Sequence, residues 1–171
     1  MTTPKITLEP MTDEEFKAWV EPMIRDYAEQ HVASGDWAAE DALELARTET
    51  LTLLPNGLRT RGHHLYTARD AATGEHAGVL WINIRPKAGR TEAFIYDIVI
   101  DEDRRGRGYG RATMLACVER ARELGADSVG LHVFGDNTVA RGLYRSLGFA
   151  ETSVQMSLPL EAETQTEAEA D

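Results

Sequence analysis

The sequence predicts an α/β domain built on a mixed β-sheet, and two observations carry that prediction. Short apolar segments rich in β-branched residues follow one another through the middle of the chain, separated by turns that contain Gly or Pro. Such segments then alternate with stretches whose apolar residues recur every three or four positions, as on the buried face of a helix. Strands that first form a meander and then alternate with helices are typical of a sheet with both antiparallel and parallel pairs.

The composition is that of one folded domain with an acidic end. The chain has 171 residues, of which 42% are hydrophobic and 27% charged, enough for one ordinary domain. We assign residues 1–160 to this domain. Residues 161–171 hold five acidic side chains and no Lys or Arg, so they are too poor in apolar surface to fold and are expected to be disordered.

Charge and hydropathy exclude several classes of function. The net charge of −11 argues against binding nucleic acid, whose phosphates need clustered cations, and mildly favours a cationic substrate such as an amine. No apolar run approaches the roughly 20 residues that cross a bilayer, and no signal pattern opens the chain, so we expect a cytoplasmic protein with no membrane partner. Cys117 is the single cysteine and is expected to be buried. The adjacent His63 and His64 lack partners at ligand spacing, so we expect no metal.

The N-terminal third is predicted to be mainly helical. Residues 5–9 alternate polar and apolar side chains, which indicates a short strand. A helix is expected over residues 12–32, with Pro22 kinking or dividing it. A second helix is expected over residues 37–54, with Asp36 as its N-cap. Residues 58–63 are predicted to form a loop.

The remainder alternates strands and helices. A meander of three strands is expected over residues 64–69, 77–84 and 93–100, and the third is apolar enough to be a central strand covered on both faces. The elements predicted beyond it are a helix over 109–124, a strand over 128–134, a helix over 137–147 and a last strand over 154–158.

A glycine-rich loop joins the central strand to the helix that follows it. Glycines at 106, 108 and 110 let the backbone turn sharply and approach a ligand closely, and the first turn of the helix adds free N–H groups and the positive end of its dipole. Arg104, Arg105 and Arg107 bring positive charge into an acidic protein. A phosphate ligand is therefore predicted, with a merely tight turn as the alternative. The spacing G-x-G-x-G fits neither the dinucleotide fingerprint nor the P-loop, which disfavours a nucleotide-binding oxidoreductase.

Two motifs resemble those of the GNAT superfamily of acyl-CoA-dependent N-acetyltransferases. Residues 105–110, RGRGYG, are similar to the family's Q/R-x-x-G-x-G/A motif. Residues 137–149 carry every fixed position of N-x-x-A-x-x-L-Y-x-x-L-G-F. The resemblance is strong over residues 77–156 and weak over the N-terminal helices, where acceptors usually bind. It implies a mixed, mostly antiparallel sheet with helices on both faces, and transfer of an acetyl group from acetyl-CoA to an amine without a metal.

The resemblance also assigns roles to residues of this chain. The backbone edge formed by Ile98, Val99 and Ile100 would pair with the pantetheine arm, and the N–H of Ile100 would polarise the thioester carbonyl. Tyr144 would protonate the departing thiolate. Asn137 would cap its helix or touch the pantetheine. The pyrophosphate would lie on the loop formed by Arg105, Gly106, Arg107, Gly108, Tyr109, Gly110 and Arg111.

The general base and the acceptor are left open by the sequence. His132 holds a position at which some members of the superfamily carry a glutamate, and an imidazole can accept a proton near neutrality. Glu92, Tyr96, Asp97 or water are the alternatives. The acceptor is expected to be a primary amine of a small molecule or peptide, attacking directly in a ternary complex, and a homodimer is open. The competing interpretation is a catalytically inactive, regulatory acyl-CoA-binding module.

Overall fold

The described residues form a five-stranded sheet and four α-helices. The structure, a computed structural model, describes residues 2–161. These residues fall into two compact units that divide between Asp136 and Asn137. In chain order the elements are β1 Ile6–Pro10, α1 Asp13–Ala33, α2 Ala42–Leu53, β2 His63–Asp70, β3 His76–Lys87, β4 Arg90–Ile100, α3 Tyr109–Glu123, β5 Ser128–Leu131 and α4 Thr138–Ser146.

The sheet has the strand order β1-β2-β3-β4-β5. Strands β1 to β4 form an antiparallel meander, while β5 runs parallel to β4. This arrangement confirms the predicted mixed, mostly antiparallel sheet. In the β3–β4 pair Trp81 lies opposite Asp97 and Ile82 lies opposite Ile95, so Tyr96 is the extra residue of a β-bulge.

Helix α1 begins at a capping box and runs without interruption past Pro22. The Thr12 hydroxyl accepts from the N–H of Glu15 at 3.2 Å, and the Glu15 carboxylate accepts from the N–H of Thr12 at 2.9 Å. The expectation that Pro22 divides this helix is wrong, since α1 is continuous from Asp13 to Ala33. Burial of Ile24 and Ala28 against α2 stabilises the helix on the C-terminal side of the proline.

Helix α2 starts five residues later than predicted. Asp36 does not cap it, because its carboxylate accepts from the Ser34 hydroxyl at 2.8 Å and contacts His31 Nδ1 at 3.1 Å. The N–H of Trp37 returns to the carbonyl of His31. Residues 38–41 therefore form turns, and Asp41 occupies the N-cap position.

Buried side chains lie on both faces of the sheet. Leu65, Val79 and Trp81 form one cluster, against which side chains of α1 and α2 pack. Leu80 alternates with them and is fully buried on the opposite face. Helix α3 packs against β1, β3 and β4. Its residue Cys117 is fully buried, as predicted, and burial raises the pKa of this thiol to about 12.

The C-terminal strand predictions are wrong in two places. Strand β5 ends at Leu131 instead of residue 134. Residues 150–161 have no regular structure, and the side chains of Val154, Met156 and Leu158 are largely exposed. Alternation of apolar residues indicates a strand only where a partner supplies hydrogen bonds, and within residues 2–161 no strand pairs with this segment. The tail predicted at 161–171 lies outside the described residues from 162 onward.

No helix in the described part of the chain is both long enough and apolar enough to cross a membrane.

Candidate functional site

The C-terminal half of β4 has a free edge. The β4–β5 pairing runs from Glu92 opposite Ser128 to Ile95 opposite Leu131. Beyond Ile95, no residue between 2 and 161 pairs with this edge of β4. The two parallel strands therefore part at the middle of β4, and the side of residues 96–100 with which no described strand pairs is called the cleft.

The direction of the backbone shows which groups face that cleft. The N–H of Asp101 donates to the carbonyl of Ala77 on β3 at 2.9 Å. Because backbone groups of successive strand residues point to opposite edges, Val99 also faces β3, while Ile98 and Ile100 face the free edge. Of the three residues predicted to hold pantetheine, two thus present their peptide groups to the cleft.

The glycine loop follows directly and is shaped by left-handed backbone. Gly106 has φ +69° and Gly108 has φ +88°, and α3 begins at the next residue, Tyr109. Within residues 2–161, none of the backbone N–H groups from Gly106 to Gly110 donates to another residue of the protein. A Cβ built on Gly106 would meet no atom within 4 Å. Five consecutive donors at a helix start, with open space beside Gly106, fit a phosphate ligand, while a Cβ built on Gly108 would lie 3.3 Å from the Pro4 side chain.

A network of hydrogen bonds, buried at Tyr109 and Asp70 and exposed at Glu75, fixes this loop to the β2–β3 turn. The hydroxyl of Tyr109 donates to Asp70 Oδ2 at 2.5 Å. The Arg104 guanidinium donates to that hydroxyl at 3.1 Å and to Glu75 Oε2 at 2.5 Å. The hydrogen bond from Tyr109, together with that from the N–H of Ala72, lowers the pKa of the Asp70 carboxyl. We call these four side chains (Asp70, Glu75, Arg104 and Tyr109) the loop clamp. Tyr109 can therefore offer a ligand its backbone and not its ring, and Arg104 is already neutralised.

The other two loop arginines keep most of their donors exposed. Arg105 Nε donates to the carbonyl of Ile100 at 3.0 Å, and Arg107 donates to the carbonyl of Asp103 at 3.3 Å. Each side chain is exposed and anchored by one hydrogen bond. The remaining guanidinium N–H groups can reach an anion bound on the loop.

The second motif, residues 137–149, lies in the C-terminal unit. Asn137 caps α4 by accepting from the N–H of Ala140 at 3.2 Å, which is one of the two roles expected for it. Tyr144 is half-buried, and its ring lies 5.7 Å from the ring of Phe149. The catalytic role of Tyr144 stays a prediction.

The candidate bases differ in their surroundings. His132 is exposed and lies one residue beyond the end of β5, with its ring edge-on to Phe134 at 5.1 Å. Glu92 is buried, which would raise its pKa, but hydrogen bonds from Lys87 and Arg85 outweigh this effect and lower it. A carboxylate held in two ion pairs is a poor acceptor for a proton.

Asp97 and Tyr96 lie at the bulge of β4, beside the cleft. Asp97 Oδ2 accepts a hydrogen bond from Trp19 Nε1 at 3.0 Å, and the Tyr96 ring stacks on Trp81 at 4.8 Å. Burial raises the pKa of Asp97 to about 6, although the Trp19 hydrogen bond lowers it, and the Asp26 carboxylate adds to the rise. The sequence analysis gave Asp97 as a candidate base but did not identify Trp19, because the two residues are 78 positions apart in the chain.

Metal ligands are not grouped in the described residues, where no set of three or more His, Cys, Asp or Glu side chains is arranged to hold an ion.

Comparison with known proteins defines the class. The model of the acetyltransferase (GNAT) family matches residues 16–149, which include the free edge of β4, the glycine loop and Tyr144. The chain therefore belongs to the GNAT family and is an acetyltransferase, as its two motifs predicted.

Individual members of the family that this chain resembles include proteins named as N-acetyltransferases. The chain is 41% identical over 155 residues to the uncharacterized N-acetyltransferase YycN of Bacillus subtilis, covering 91% of this chain and 99% of YycN. The crystal structure of YycN superposes with a TM-score of 0.87 and covers 92% of this chain and 100% of that structure. A mycothiol acetyltransferase of Thermobispora bispora is 33% identical over 88% of this chain, but the match spans only 47% of that relative.

Proposed function

We propose that this protein transfers the acetyl group of acetyl-CoA to a primary amine of a small molecule or peptide, by direct attack in a ternary complex. The observation that carries the proposal is the run of backbone donors from Gly106 to Gly110, which make no hydrogen bond within the described chain and adjoin the free edge of β4. The anion site would bind the phosphates of CoA, and the unpaired strand edge beside it would bind the amides of pantetheine.

Different residues of this chain would bind different parts of acetyl-CoA. The N–H groups of the loop, together with Arg111, would bind the pyrophosphate, and the guanidinium groups of Arg105 and Arg107 would add charge. Ile98 and Ile100 would pair with the amides of pantetheine. The N–H of Ile100 faces the free edge and is our candidate for polarising the thioester carbonyl.

Two further side chains would move protons. The phenol of Tyr144 would protonate the thiolate as it leaves. His132 is the sequence-based candidate for accepting the proton of the attacking ammonium. When bound, acetyl-CoA supplies the activated acetyl group as its thioester.

The relatives support acetyl transfer to nitrogen without naming the acceptor. YycN and YdgE of Bacillus subtilis are both named N-acetyltransferases, and YdgE is 37% identical over 88% of this chain. The similarity to mycothiol acetyltransferase covers less than half of that protein, so its acceptor is not carried over. Because the reaction consumes acetyl-CoA, we propose that the enzyme acts in the cytoplasm, and a homodimer stays a prediction.

The test combines a binding and a turnover measurement. Calorimetry with CoA in the presence of EDTA should show binding without added metal. Free thiol should then be released from acetyl-CoA in equal amount to acetylated amine, in a panel of polyamines, amino acid derivatives and short peptides. Tight CoA binding with no thiol release above buffer hydrolysis for any amine would instead support the regulatory acyl-CoA-binding module.

A further inference from the structure

Asp97 occupies a special position on β4. It immediately follows the bulge residue Tyr96 and immediately precedes Ile98, the first residue that faces the free edge. Bulges commonly re-aim side chains beside active sites. Here the bulge puts a carboxylate beside the point where β4 and β5 part, on the sheet face that α1 covers.

The surroundings of Asp97 are aromatic on two sides. Trp19 donates to Oδ2 at 3.0 Å, and its ring meets Trp81 edge-on at 5.7 Å. Trp81 in turn stacks on Tyr96 at 4.8 Å. Its Nε1 donates to His63 Nδ1 at 3.0 Å, so the proton of this neutral imidazole is on Nε2. Electron-rich ring faces attract organic cations.

In the described residues Asp97 has no cationic side chain as a partner, whereas other carboxylates that point into the fold do have one. Glu15 pairs with Arg69 at 2.5 Å, Asp70 lies 3.7 Å from Arg104, and Glu92 pairs with Lys87 at 2.8 Å. In the described residues no Lys, Arg or His pairs with Asp97, and no group donates to its Oδ1. Removing a charge from water without a partner is costly, so a cation supplied by a bound substrate would stabilise the Asp97 carboxylate.

We propose that Asp97 binds the acceptor as an ammonium ion and takes its proton, so that the substrate is a primary amine carried on an apolar or aromatic body. This inference rests on the proposed acetyl transfer. One N–H proton passes to Asp97, and the freed lone pair forms the C–N bond at the thioester carbonyl. The C–S bond then breaks, the nitrogen gives up its second proton as the amide forms, the thiolate takes up one proton to become the thiol, and the Asp97 carboxyl returns its proton to water.

The titratable groups around Asp97 set how its reactivity should follow pH. Asp26 of α1 acts on Asp97 directly, while Tyr27 of α1 and His63 of β2 interact with Tyr96, the residue that precedes Asp97 on β4. The active form of Asp97 is the carboxylate, and burial raises its pKa to about 6. The rate should therefore rise with pH through that value, and removal of the Asp26 charge should move the step to lower pH.

The experiment compares Asp97→Asn with two controls, Asp26→Asn and His132→Gln. The probes are 2-phenylethylamine, an ammonium ion near pH 7, and aniline, which is neutral there. We expect Asp97→Asn to bind CoA as the wild type does, to lose about 100-fold or more in kcat/KM for 2-phenylethylamine together with the step near pH 6, and to lose far less for aniline. Asp26→Asn should keep the rate and shift the step. His132→Gln tests the other candidate base: it should keep the step near pH 6, and loss of that step in His132→Gln but not in Asp97→Asn would overturn the inference.

A stability measurement separates this role from a structural one. Because the pKa of Asp97 in the fold is above that of an ordinary Asp, stability should fall as pH rises from about 4 through 6. Asp97→Asn should therefore melt higher than the wild type at pH 8 and not at pH 4. If the wild type is active and Asp97→Asn keeps its kcat/KM and pH profile, the inference is overturned while the proposed function stands. The same holds if Asp97→Asn loses equally for both probes. A wild type that binds CoA but acetylates no amine overturns the proposed function and this inference with it.

Discussion

The glycine loop can be tested by placing a carboxylate where the pyrophosphate is proposed to lie. In Gly106→Asp the new Cβ would enter space with no atom within 4 Å. The backbone there is left-handed, with φ +69°, a conformation that costs most residues roughly 1–2 kcal/mol and that Asp tolerates better than most. The variant should therefore fold, with a melting temperature lower by a few degrees.

The expected loss of CoA binding is larger than this strain. A carboxylate about 4 Å from a phosphate repels it by about 4 kcal/mol at an effective dielectric constant near 20. That corresponds to roughly a thousandfold in Kd, and we expect at least a hundredfold after partial screening by Arg105 and Arg107. Isothermal calorimetry with CoA at two salt concentrations measures it, and the defect should shrink as salt rises.

Gly89 offers a matched control for the strain. It lies between β3 and β4 with φ +76°, and a Cβ there also meets nothing within 4 Å. Gly89→Asp should lower the melting temperature by a similar amount and leave the Kd for CoA unchanged. Equal CoA affinity in folded Gly106→Asp and wild type would refute the assignment of the pyrophosphate to this loop.

Two other side chains give independent predictions. Tyr144→Phe should lower kcat by about 10²-fold or more with the Kd for CoA unchanged, since only a proton donor is lost; stopped-flow thiol detection measures this, and unchanged turnover would reduce Tyr144 to a packing residue. Burial raises the pKa of the Cys117 thiol to about 12. Iodoacetamide at pH 8 should therefore leave Cys117 unmodified in the native protein and alkylate it fully in denaturant. Rapid labelling of the folded enzyme would contradict that burial.

The shape of the glycine loop could be predicted from the sequence because its signals are local. Glycines at 106 and 108 are needed within one loop for left-handed backbone, and both are observed there. The central strand and α3 were placed by their own apolar patterns. Each of these features depends on a few adjacent residues, which a single sequence displays directly.

The surroundings of Asp97 could not be predicted in the same way. The contact between Trp19 and Asp97, and the bulge that positions Asp97, depend on pairing between distant segments. The end of β5 at Leu131 likewise depends on where β4 stops pairing with it, and not on the apolar residues 133 and 134 that suggested a longer strand. The predicted strand over residues 154–158 failed for the same reason, since alternation does not reveal a partner.

The loop clamp has a consequence for the kinetics of the reaction. The hydroxyl of Tyr109 and the guanidinium of Arg104 hold the glycine loop to the β2–β3 turn through Asp70 and Glu75. The entropy of ordering the loop is therefore lost during folding and not at the moment CoA arrives. Association should then be a single bimolecular step whose rate stays linear in CoA concentration, without the saturation that a slow loop closure would impose. The rate of CoA release would then depend on the contacts between CoA and the ordered glycine loop. The loop would not need to reorder between successive turnovers.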